Sequence, residues 1–155
     1  MDWNKIKAKA TSMYKESSKA IKQYTPENFS KEKKFINSLV ISLVLMTMAD
    51  KKAEEEEITT SMDLINEIDE IKELDMVQEA IELYELHLDT LLNSIDNTTK
   101  WTITVAKLLS EIGKVKPYPE YPPMIENLLE YIAASDGNIC DLEKEMQEKI
   151  LRALK

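Results

Sequence analysis

Phe35-Ile-Asn-Ser-Leu-Val-Ile-Ser-Leu-Val-Leu-Met-Thr-Met-Ala49 is the stretch on which the fold turns. It is uncharged and interrupted only by the polar residues Asn37, Ser38, Ser42 and Thr47. Its 15 residues fall short of the roughly 20 that cross a bilayer. A helix that is apolar almost all round belongs at the centre of a bundle. The reading is therefore a buried helix, starting near Ser30 as its N-cap and ending near Ala49. Directly after it comes an acidic corner, Asp50-Lys-Lys-Ala-Glu-Glu-Glu-Glu57.

Outward from this stretch, helical periodicity continues in both directions. Before it, Trp3, Ile6, Ala10, Met13, Ala20 and Tyr24 fall on one stripe of a helix over 2–24. Thr25-Pro-Glu-Asn28 breaks that helix. After it, a helix from about Glu54 carries Ile58, Met62, Leu64, Ile65 and Ile68. Asp75 is expected to cap the next, whose inner stripe is Val77, Ile81, Tyr84, Leu88, Leu91 and Ile95. A fifth starts near Asn97 or Thr98 and ends at Gly113, a suitable left-handed C′ residue. Its Thr-Ile-Thr-Val105 segment alternates like a strand, but a lone strand would leave its backbone groups unpaired.

Lys114 to Pro123 holds four prolines and is expected to be an irregular connector, or an extended peptide read by a partner. A sixth helix, about Pro123 to Ser135, is again mainly apolar. The seventh runs from about Asp141 to Leu154, with Met146, Ile150, Leu151 and Ala153 inward. The expected architecture is all-α, a single-domain bundle of about seven helices. The second and sixth are apolar and central. Residues 1–28 form a basic amphipathic helix and turn, and residues 30–155 an acidic body.

Composition supports this. Only two glycines occur in 155 residues, and Ala, Leu, Ile, Met, Glu and Lys dominate. The net charge of −9 makes nucleic acid a poor partner for the body. Residues 1–34 hold nine lysines against four acids, a balance of +5, so the rest carries −14. That basic arm invites weak contact with an anionic membrane surface, or folds against the acidic body. Cys140 is the only cysteine, which fits a reducing cytosol. Charges at the N-terminus stand where a signal peptide would be apolar. The expected location is cytoplasmic, with a peripheral place at the inner membrane face.

The acidic corner occurs twice. Both apolar helices end at an aspartate, then a short turn, then an acid-rich helix start. Aligned on Asp50 and Asp136, Ala53 matches Ile139, Glu55 matches Asp141 and Glu57 matches Glu143. Such an internal repeat suggests two pseudo-symmetric halves. Two readings of the acids stay open. In one, Asp50 and Asp136 reach the free amides of the following helix, and Glu54, Glu55, Glu57, Asp141 and Glu143 favour its positive end. In the other, Asp136, Asn138, Asp141 and Glu143, with Asp50, Glu54 and Glu57 at the first corner, gather oxygen ligands around Ca2+ or another divalent cation. Lys51 and Lys52 oppose a cation at the first corner, and Lys after Asp is costly in a left-handed turn. The second corner is preferred. It is not an EF-hand, because its sixth position is Asp141 and its twelfth Gln147.

Enzyme chemistry finds little footing. His87 is the only histidine and flanks a core stripe. Cys140, at an N-cap where a thiol caps poorly, has no histidine nearby in sequence. No Gly-rich phosphate loop or Ser–His pattern is present. The eight methionines read as core filler.

The segment Ala133-Ala-Ser-Asp136-Gly-Asn-Ile139, followed by Asp141, Glu143 and Lys144, resembles the tellurite-resistance TerB family. The first corner, the preceding Lys33-Lys34-Phe35 and the Leu74-Asp75 helix start are similar too, so the resemblance covers nearly the whole chain. It implies an all-α bundle and a non-enzymatic role in resistance to tellurite and related stresses. It also implies a cation at the acidic corners, and protein partners that include a membrane-integral companion and calcium-binding companions.

Overall fold

The computed structural model describes residues 26–73, 75–135 and 140–155. The helix expected over 2–24 and the aspartate and asparagine at 136 and 138 lie outside the described residues. What is described is an all-α bundle: α1 (Pro26–Thr47), α2 (Glu55–Glu67), α3 (Asp69–Glu73), α4 (Val77–Leu92), α5 (Thr98–Ile112), α6 (Tyr121–Ser135) and α7 (Asp141–Ala153). A 3-10 turn, Gly113–Val115, follows α5. There is no strand among the described residues, and the Thr-Ile-Thr-Val105 segment lies within α5.

The uncharged stretch decides the packing. From Phe35 to Ala49 every residue except Asn37 is buried. This makes α1 the axis of the bundle, touching α2, α4, α5, α6, α7 and the 3-10 turn. A helix buried on all sides must also satisfy its polar side chains. Ser38 Oγ donates to the carbonyl of Ile112 (3.2 Å), supplying a donor to the C-terminus of α5. Ser42 Oγ turns back to the Ser38 carbonyl (2.8 Å) and Thr47 Oγ1 to that of Leu43 (2.9 Å). The Thr47 hydrogen being used, the Tyr84 hydroxyl donates to Thr47 Oγ1 across 3.1 Å, inside the core.

Helix starts and stops differ from the sequence reading in four places. The first helix begins at Pro26, not near Ser30. Proline has no N–H to lose at a first turn, and its fixed φ suits that position, so Pro26 starts a helix here instead of only breaking one. Asp75 does not cap α4. It takes φ 55°, and Asp75 N–H bonds the Lys72 carbonyl (3.0 Å) while Met76 N–H bonds that of Ile71 (2.9 Å). That is the left-handed ending of α3, a short helix not anticipated from periodicity, and Met76 occupies the N-cap of α4.

Gly113 is likewise not left-handed: its φ is −62°. What glycine permits there is close approach, since a Cβ would lie 3.3 Å from the Ala153 carbonyl oxygen at the end of α7. The proline-rich connector is short and docked. After the 3-10 turn, α6 already begins at Tyr121. Tyr121 stacks on Phe35 (ring centroids 4.6 Å apart), and Lys34 Nζ donates to the Tyr118 hydroxyl (3.2 Å). Lys31 lies 5.3 Å from the Tyr118 ring centre and pairs with Glu120 at 3.1 Å. These contacts tie the segment to α1, so it is not an extended peptide free for a partner.

The expected stripes point inward. Tyr84, Leu88 and Leu91 of α4 are buried with Ala80, while Val77, Ile81 and Ile95 pack against the core. On α7, Met146 and Ile150 are buried, Leu151 and Ala153 partly so, and Leu154 closes the end. Among the described residues no helix is long and apolar enough to cross a membrane.

Candidate functional site

The first acidic corner is built by backbone geometry. After α1 ends at Thr47, Lys51 adopts φ 63° and Asp50 Oδ1 accepts the Lys52 N–H at 3.0 Å. Asp50 thus closes its own turn, five residues before α2 begins, and makes no cap bond to that helix's free amides. The left-handed shape persists even though lysine, not glycine, occupies it. Glu54 stands at the N-cap of α2 with no side-chain cap bond. The Lys51 ammonium lies 5.3 Å from the centre of the Trp101 ring on α5. Glu57 is near enough to Tyr84 to oppose ionisation of that phenol.

At the second corner, α6 ends at Ser135 and α7 begins at Asp141. Cys140 is the N-cap, as its position in the sequence suggested, and its thiol makes no bond to the helix amides. Instead Sγ donates to Glu143 Oε1 at 3.3 Å, linking N-cap and third helical residue by side chains alone. Asp141 and Glu143 both sit in the first turn, where the helix dipole favours negative charge.

Among the described residues, no three histidine, cysteine or acidic side chains gather closely enough to hold a metal. Asp50, Glu54 and Glu57 therefore do not form a three-carboxylate cluster at the first corner. Of the preferred set, Asp141 and Glu143 are in place at one helix start, while Asp136 and Asn138 lie outside the described residues.

His87 is half-buried, with Nε2 3.3 Å from Asn37 Oδ1 on α1. Burial lowers its pKa below the ordinary 6.5, with the Glu111 carboxylate pulling the other way. The neutral imidazole then donates through Nε2 to the amide oxygen, so His87 joins α4 to α1. Tyr84 is wholly buried, and burial pushes its phenol above the usual 10.

One feature escaped sequence reading: a surface groove of about 810 Å³ between α5 and the end of α7. Trp101, Val105 and Leu109 form its apolar floor, and Lys114, Lys116, Lys149 and Arg152 stand along it. The floor has a sequence signal, an i, i+4 series on α5. The cations come from separate parts of the chain, so only the fold brings them together. Comparison with protein-family models, curated proteins and solved structures yields no match to this chain.

Proposed function

We propose that this chain is a non-enzymatic stress-response module of the tellurite-resistance TerB type, acting in the cytoplasm by binding. Its ligands are a divalent cation at the second acidic corner and protein partners. The reading is carried by the repeat: two apolar helices each give way, across a short turn, to an acid-rich helix start. The helix starts at Glu55 and Asp141, each five residues after the aspartate, support that repeat. The second corner is the better cation site, because Lys51 and Lys52 add positive charge at the first. Asp136, Asn138, Asp141 and Glu143 would supply hard oxygen ligands to Ca2+ or a similar ion.

The test is a titration of calcium, magnesium, manganese and zinc, followed by amide chemical shifts and melting temperature. Shifts centred on 136–143, lost in Asp136→Asn, are expected. No response there at millimolar metal would remove the cation from the reading.

A second reading, a membrane-recruited adaptor, is favoured by the charge step from +5 over residues 1–34 to −14 beyond. It requires salt-sensitive binding to anionic vesicles that depends on the lysines of residues 1–24. Binding that persists when those lysines are replaced by glutamine would reject it.

A further inference from the structure

We infer that the groove along α5 is a docking site for an acidic amphipathic helix of a partner protein. This rests on the reading of the chain as a binding module and adds the chemistry of one partner.

Trp101, Val105 and Leu109 recur every fourth residue, which places them on one ridge of α5, and Gly113 follows at the start of the 3-10 turn. From first to last they span about 18 Å at 1.5 Å per residue, the length of three helical turns. Val105 is buried beneath this line and Trp101 and Leu109 are half-buried, whereas Thr102, Ala106 and Ser110 beside it are small and exposed. A row of small residues beside an apolar line lets a second helix approach closely. The lining residues run from Trp101 to Lys116, the length of α5, which is room for a helical rod.

Charge selects the rod. The whole chain carries −9, yet Lys114, Lys116, Lys149 and Arg152 all stand along this one groove. Lys51 adds a fifth cation beside Trp101. Among the described residues, Lys114 is paired with Glu111 at 2.9 Å, and no ion pair engages Lys116, Lys149 or Arg152. An acidic helix would place carboxylates against these cations while its apolar face covers the Trp101–Leu109 line. The chain's own N-terminal segment is a poor match in charge, with six lysines between positions 5 and 22.

The test titrates the full chain with two designed amphipathic peptides about 18 residues long, enough for helix formation on a surface. One is built of Leu and Glu, the other of Leu and Lys. The Leu/Glu peptide is expected to shift the amides of 101–116 and 149–153, to weaken as salt rises, and to outcompete its Leu/Lys counterpart. Lys149→Glu with Arg152→Glu should weaken it at least about tenfold. Both residues are exposed, so the fold should tolerate the change.

Equal affinity for the two peptides, unchanged affinity in the double variant, or no binding by roughly 1 mM would overturn the proposal. So would nuclear Overhauser contacts in the free chain between residues 1–24 and Trp101 or Val105, or self-association through the same stripe. The cation reading fails separately: Asp136→Asn should leave peptide binding intact, and the groove variant should leave the metal response intact.

Discussion

The Lys51 ammonium stands 5.3 Å from the centre of the Trp101 ring, linking the first acidic corner to the start of α5. The same lysine holds a left-handed backbone, with φ 63°. Two opposed terms therefore meet in one residue: a cation–π contact that stabilises and a backbone geometry that costs.

Lys51→Ala and Lys51→Gly separate them. Both lose the ammonium, but only alanine keeps the Cβ clash. Lys51→Gly is expected to be more stable than Lys51→Ala by about 0.5–1 kcal/mol, the backbone penalty less the entropy of glycine. Denaturant unfolding of the two variants measures it. Equal stabilities would mean that the turn is not left-handed in solution.

Tyr84→Phe removes the donor to Thr47 inside the core. The Thr47 hydroxyl keeps its bond to the Leu43 carbonyl, so no large desolvation cost is left behind. A loss of about 1 kcal/mol is expected. Thr47→Ala should cost a similar amount, and the double variant less than their sum by roughly 0.5 kcal/mol or more. Strict additivity would show that the two hydroxyls do not interact.

His87 gives stability a defined pH dependence. Its folded pKa is lowered beneath 6.5 by burial, so below 6.5 the unfolded chain takes up the proton more readily. The stability associated with neutral His87 is fully present above pH 6.5 and is lost as pH falls through the folded pKa. Being the sole histidine, its ring resonances report the pKa without overlap. Melting temperature should fall between pH 7 and 5 more in the native chain than in His87→Gln, where position 87 no longer titrates. Parallel curves would remove His87 from the pH response.

Phe35 tests the docked connector. It is buried and stacked on Tyr121, so Phe35→Ala should cost about 3–5 kcal/mol through a cavity between α1 and α6. Phe35→Leu retains most of the volume and should cost much less. Thermal melts of the pair decide it: similar losses for both would locate the stabilisation in the ring stack.

Fold class is legible in the residues alone, because hydrophobic period is a local signal. The uncharged run from Phe35 to Ala49 could only be a core helix. The stripes of α4 and α7 repeat at the helical period, and Asn97 caps α5 by accepting the Lys100 N–H at 3.0 Å. Helix ends were less legible. Pro26 and Asp75 each suit more than one position in a turn, and only neighbouring hydrogen bonds choose between starting a helix and ending one.

The tertiary structure alone decided which distant groups meet. Nothing local pairs Ser38 with Ile112, Asn37 with His87, or Lys34 with Tyr118. Those partners lie 50 or more residues apart and find each other only because α1 is central. The acidic corners were visible as sequence, but their geometry was not: Asp50 spends its oxygen on its own turn, and Lys51 turns to an aromatic ring. The basic groove along α5 is the clearest case. Its four cations are scattered through an acidic chain, and they become one surface only when the end of α7 packs beside α5.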